Sequence, residues 1–166
     1  GQRPLPAGLQ VRELRADRAE LGKHAGEIAR FAPDAIVDSI CFNAAQAKDL
    51  VARAGDARRV VLISTVDTYG EDIGGSPVSE EREPVPVTPY AKGKLECEHL
   101  VLSELGARAC VVRPSHILGR GFLTTSLWGR SPHLVDRIRR GKPVPAIDGG
   151  RNLMTPVHAL DVAEWV

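Results

Sequence analysis

The sequence predicts an α/β fold, a doubly wound parallel sheet that is incomplete at both ends. Three observations point to it. Nearly continuous apolar runs at 35–42, 59–64 and 107–113 have the length and composition of parallel strands covered on both faces. A helical stretch with its own start and stop signals separates each run from the next. The links between them are short, and strand–helix–strand units with short links are right-handed and build parallel sheets.

The elements follow in order. Residues 9–14 alternate apolar and polar side chains (Leu9 and Val11 against Gln10 and Arg12), the pattern of a short strand. Asp17, with Glu20 three residues on, has the form of a capping box for a short helix. A second helical piece covers 24–31 and stops before Pro33. The strand at 35–42 carries Ile36, Val37, Ile40, Cys41 and Phe42. Asn43 then suits the N-cap of a helix over 44–54, and Gly55 its stop. The strand at 59–64 is Val60, Val61, Leu62 and Ile63 at its centre, and 71–87 is a long polar loop. Pro89 opens a helix that runs to 105 and ends at Gly106. Ala109, Cys110, Val111 and Val112 fill the strand at 107–113. Residues 117–131 are irregular and glycine-bearing; 134–140 form a short helix stopped by Gly141; 144–147 and 153–157 are short strands. The chain opens in a loop-like Pro/Gly segment and closes, over 159–166, on a helix start without a stop signal, as a portion of a larger protein would.

Composition narrows the function classes. With 43% hydrophobic and 26% charged residues, an ordinary packed core is expected and disorder is not. A net charge of +1 and 4% aromatic residues give no pull toward nucleic acid or a membrane surface. No apolar run approaches the roughly 18 residues that a bilayer span needs. The N-terminus carries no apolar signal core, so a cytoplasmic location is expected. Cys41, Cys97 and Cys110 form no Cys-x-x-Cys motif; they fit core positions in a reducing compartment, and no metal site is expected.

The chemistry concentrates in 63–94. There Ile63-Ser64-Thr65-Val66-Asp67-Thr68-Tyr69-Gly70 ends a strand in hydroxyls, and Tyr90-Ala91-Lys92-Gly93-Lys94 sets a phenol and an ammonium four residues apart at a helix start. Residues at i and i+4 share a helix face. A cation beside a phenol lowers its pKa from about 10 toward neutral, so that it can exchange a proton with an alcohol or ketone. Thr65, Asn43 and Ser115 all follow strand ends, where ligands of such sheets bind. Simpler roles are expected elsewhere: Asn43 as a helix cap, His158 and Asp161 as structural residues, and the basic run Arg137, Arg139, Arg140 and Lys142 as charges favoured at a helix C-terminus.

The 63–70 stretch, the Tyr-x-x-x-Lys motif at Tyr90 and Lys94, the run Arg113-Pro114-Ser115-His116-Ile117-Leu118-Gly119 and the stretch 156–163 together resemble the extended short-chain dehydrogenase/reductase family, of the NAD-dependent epimerase/dehydratase type. The resemblance implies a Rossmann-like fold, with 1–120 a partial dinucleotide-binding domain and 121–166 the start of a substrate-binding lobe. It implies an NAD(P)-dependent oxidoreductase or epimerase acting on a secondary alcohol or ketone, with NAD or NADP as cofactor, a small-molecule substrate and a homodimer as one assembly open to it. By position, Tyr90 is the acid/base. Lys94 tunes it and holds the cofactor ribose. Thr65 bonds the substrate oxygen, with Ser64 as runner-up, since adjacent strand residues face opposite sides and only one can reach. Pro114 and Ser115 line the nicotinamide, Asp17 touches the adenine, and Asp67 and His116 face the substrate.

The sequence also departs from the family. The glycine-rich phosphate loop that joins the first strand and helix is not in it, and Gly70, Gly74, Gly75, Gly119 and Gly121 do not sit on such a turn. Most of the substrate lobe is likewise not in it. Val66 and Asp67 stand where sugar-nucleotide dehydratases carry an Asp-Glu pair, which argues against that reaction. His116 stands where many nucleotide-sugar enzymes carry Asn. The alternative is a non-catalytic binding or regulatory protein on the same fold, a cofactor sensor or an RNA-associated relative.

Overall fold

The computed structural model describes residues 8, 10–71, 77–119, 133–144, 147–151 and 155–166. Its centre is a parallel sheet of three strands, β1 (Ala35–Asp38), β2 (Arg59–Ile63) and β3 (Ala109–Val112), in the order β1-β2-β3. Ile36 pairs with Val60 and Val61 with Cys110. Helix α1 (Ala25–Phe31) precedes β1, α2 (Ala44–Arg53) links β1 to β2, and α3 (Pro89–Leu105) links β2 to β3. A two-stranded parallel sheet, β4 (Ile117–Leu118) with β5 (Val157–His158), follows, together with α4 (Leu134–Arg139) and α5 (Ala159–Trp165). This is the expected α/β class, a parallel sheet with crossover helices, in incomplete form.

Helices α2 and α3 lie together over one face of the sheet. Val60 and Leu62 on alternate positions of β2, Ala47 and Leu50 on α2, and Cys97, Val101 and Leu105 on α3 make one buried core. Cys41 belongs to it as well, and all three cysteines are free thiols. The cap signals act as expected. Asn43 Oδ1 accepts from Gln46 N at 3.1 Å, and Gln46 Oε1 accepts from Phe42 N at 2.7 Å, so the α2 start is tied from both sides. Pro89 opens α3 as expected, and Thr88 before it, not singled out in the sequence, caps the helix with Oγ1 accepting from Ala91 N at 3.1 Å.

Several expectations are corrected. Residues 10–17 form no strand; without a partner ladder their alternation settles nothing, and their side chains are exposed. Leu9 lies outside the described residues. After Asp17 the chain forms a 3-10 helix, Arg18–His24, capped by Asp17 Oδ1 accepting from Ala19 N at 2.8 Å; Glu20 pairs with Lys23 instead of closing a capping box. The strand expected over 35–42 stops at Asp38. There Oδ1 accepts from Ile40 N at 3.0 Å and turns the chain, and Oδ2 holds Arg18 at 2.6 Å. Nor is that strand covered on both faces, since Ala35 and Val37 are exposed at the edge of the sheet. Val144 is irregular, and Ile147–Gly150 is a 3-10 helix rather than strand. Residues 117–118, expected to be irregular, form β4. Of the strand expected over 153–157, only Val157 is strand among the described residues, as the first residue of β5. Gly74, Gly75 and Gly121 lie outside the described residues. Among those described, no helix is long and apolar enough to cross a membrane.

Candidate active site

The site is built at the carboxyl ends of β2 and β3. Pairing continues past both strands: Ser64 N donates to Val112 O at 2.7 Å and Val66 N to Pro114 O at 3.2 Å. Thr65 and Pro114 are therefore held side by side at the sheet edge. Thr65 then caps a 3-10 helix, Val66–Tyr69, its Oγ1 accepting from Asp67 N at 3.3 Å and its carbonyl from Thr68 Oγ1 at 2.9 Å. Gly70 ends the turn at φ 85°, and a Cβ there would meet Val85 O at 2.3 Å, so only glycine fits.

Helix α3 brings in the phenol and the ammonium on successive turns. Lys94 is 2% exposed. Its Nζ donates to Cys41 O at 2.9 Å and to Ile63 O at 2.5 Å, tying α3 to the segment after β1 and to the end of β2. The same nitrogen lies 5.0 Å from the centre of the Phe42 ring, and that ring stands 6.2 Å, tilted 45°, from the Tyr90 ring. Phe42 thus packs against both residues of the motif. Burial pushes the Lys94 pKa below the ordinary lysine value, against a smaller opposing pull from negative neighbours. Tyr90 is 46% exposed.

A cleft of about 580 Å³ collects most of the expected residues: Thr65, Asp67, Tyr90, Lys94, Pro114, Ser115 and His116 all line it. Ser64 also borders it, but its hydroxyl donates to Glu98 Oε1. The Ser115 hydroxyl is taken by Thr155 O, and His116 O accepts from Val157 N at 3.0 Å, which joins the β3 end to the second sheet. Asp17 is not at the cleft; its carboxylate caps the 3-10 helix. His158 is a cap too, its Nδ1 accepting from Leu160 N at 3.3 Å. In the basic run, Arg137 bonds Pro143 O at 2.6 Å. Among the described residues no group of three His, Cys, Asp or Glu side chains could hold a metal.

Sequence reasoning missed Glu98. It is 1% exposed and accepts from Ser64 Oγ and from Arg113 through Nε at 3.1 Å and Nη2 at 2.5 Å. Arg113 in turn stacks over Tyr69, its guanidinium carbon 4.6 Å from the ring centre. The bond to Glu98 raises the Arg113 pKa further. The available signal was spacing, since Glu98 follows Lys94 by four residues on the buried side of α3.

Residues 33–166 match the family described as NAD dependent epimerase/dehydratase family. The chain is 33% identical over 97 residues to 2'-dehydrokanamycin reductase of Streptomyces kanamyceticus, an alignment covering 58% of the chain and 27% of that enzyme. It superposes on dTDP-glucose 4,6-dehydratase from Bacillus anthracis, solved in complex with NAD, with a TM-score of 0.73 at 18% identity over 91% of the chain and 52% of that protein. For UDP-glucose 4-epimerase from Thermotoga maritima, solved with UDP-glucose, the TM-score is 0.68 at 17% identity, over 90% and 55%. The chain thus spans about half the length of these solved structures. At such identities the likeness is one of fold.

Proposed function

The chain belongs to the NAD dependent epimerase/dehydratase family, and on that premise we propose that it carries the catalytic half of an NAD- or NADP-dependent oxidoreductase or epimerase acting on a secondary alcohol or ketone. Residues 1–120 then supply part of the dinucleotide-binding domain and 121–166 begin the substrate lobe. The observation that carries the reading is the convergence of Thr65, Tyr90 and Lys94 on one cleft at the carboxyl ends of β2 and β3.

The residues present fit the nicotinamide-ribose end of such a cofactor. An ammonium has three N–H bonds. Two of those on Lys94 go to Cys41 O and Ile63 O, which leaves one for a ribose hydroxyl in the cleft that Lys94 lines. The phosphate-binding glycine turn is not in this sequence, so the fit covers that end alone. When bound, the cofactor supplies the hydride donor or acceptor. Tyr90 gives a proton to the substrate oxygen in reduction and takes it in oxidation. Thr65 Oγ1 already accepts from Asp67 N, so its own hydrogen is free to donate to that oxygen. Pro114 and Ser115, which line the cleft, would stand beside the cofactor ring, and Asp67 and His116, also on its wall, would face the substrate. By the family resemblance Asp17, which caps the 3-10 helix apart from this cleft, would contact the adenine.

The test is Tyr90→Phe in the intact protein, assayed with a panel of ketones and secondary alcohols and titrated separately with NAD and NADP. Turnover should fall about 10²- to 10⁴-fold with cofactor affinity kept. Turnover at the parental rate would remove Tyr90 from the acid/base role.

A further inference from the structure

We propose that Glu98 is a positioning residue for this reaction, its carboxylate setting the relative placement of the three chain segments that carry Thr65, Ser115 and Lys94. The inference rests on the reading of the cleft given above. Ser64, bonded to Glu98, is the immediate neighbour of Thr65 at the end of β2. Arg113, held by Nε and Nη2, leads directly into Pro114 and Ser115 at the end of β3. Glu98 itself follows Lys94 by one turn of α3. One carboxylate therefore bonds both strand ends and belongs to the helix that bears the phenol and the ammonium.

The chemistry favours positioning over simple cohesion. A carboxylate this deeply buried is costly, and its pairing with arginine offsets that cost without much net gain in stability. Apolar side chains of similar volume would hold the same elements together as well. What they would not supply is direction. A guanidinium and a carboxylate meet in a planar fork with two bonds, which fixes angle as well as distance. Tyr69 completes the setting by stacking against the Arg113 guanidinium. Reaction rates are sensitive to such placement, and a shift of about 1 Å in a reacting group can lower turnover about 100-fold.

Two variants of the intact protein test the role. Arg113→Lys keeps the charge opposite Glu98 and removes the fork, together with the guanidinium stack on Tyr69. It should lower kcat roughly tenfold, with KM and the urea midpoint close to the parent. The paired replacement Glu98→Leu with Arg113→Met removes both charges and should restore most of the stability that Glu98→Leu alone loses, while kcat stays low. Unchanged kcat in Arg113→Lys, or kcat that recovers together with stability in the paired variant, overturns the inference. Tyr90→Phe run alongside separates the two readings. Its loss of turnover, with kcat intact in the Glu98 and Arg113 variants, overturns the role of Glu98 alone. Turnover surviving in Tyr90→Phe overturns the acid/base reading and this inference with it.

Discussion

A Cβ on Gly93 would sit 2.4 Å from the carbonyl oxygen of Phe42. Helix α3 runs against the segment after β1 at that point, and the close approach is what lets Lys94, the next residue, reach Cys41 O at 2.9 Å. Two effects oppose each other in Gly93→Ala. Alanine is the better helix former by about 1 kcal/mol. The added methyl meets a backbone oxygen that cannot turn aside, and overpacking of this kind costs about 1–3 kcal/mol. The clash should win, because a contact this short forces the whole helix to move. Urea unfolding of the intact variant is expected to show a lower midpoint. An unchanged or higher midpoint would mean that α3 does not pack as closely as described.

A buried ion pair sets the end of β1. Asp38 is 4% exposed, holds Arg18 at 2.6 Å and accepts from Ile40 N. Removing one partner of such a pair leaves a desolvated charge, at a cost of roughly 3 kcal/mol. Arg18→Met should therefore be markedly destabilising in the parent and much less so in Asp38→Asn, which retains the acceptor for Ile40 N. A double-mutant cycle should give a coupling of about 1–3 kcal/mol. The Arg58–Asp34 pair serves as control. Its side chains are 83% and 82% exposed, and its cycle should give no measurable coupling. Additive effects at Arg18 and Asp38 would show that the pair does not hold the strand end.

These contacts also explain which features were legible in the sequence. The apolar runs, the Asn43 cap, Pro89 and Gly106 are local signals, and they mark β2, β3, α2 and α3 to within a few residues. The end of β1 is not local. It depends on a carboxylate that turns back on its own chain and on an arginine twenty residues earlier. The 9–14 alternation misleads because a period of two becomes a strand only beside a partner. In the cleft, the four-residue spacing of Tyr90 and Lys94 and the hydroxyls of Ser64 and Thr65 could be read directly. Which hydroxyl is taken could not, since Glu98, the acceptor from Ser64, lies 34 residues away along the chain.

Lys94 should leave a mark on the pH dependence of stability. Burial, the leading cause, lowers its pKa in the folded state below the ordinary 10.5. The folded protein therefore releases this proton before the unfolded chain does. Between the lowered value and 10.5 the unfolded state binds more protons, so stability rises with pH through that window. Below the window both states are protonated and the burial cost is carried in full; above 10.5 both are neutral and it is gone. Lys94→Met has no such group, although it also loses the bonds to Cys41 O and Ile63 O. The informative quantity is the unfolding free energy of the parent minus that of Lys94→Met, measured in urea from neutral to alkaline pH. Other groups that titrate there are common to both proteins and largely cancel. The difference should shift in favour of the parent as pH rises toward 10.5. A flat or falling difference would mean that the two carbonyls outweigh desolvation and hold Lys94 at or above its ordinary pKa.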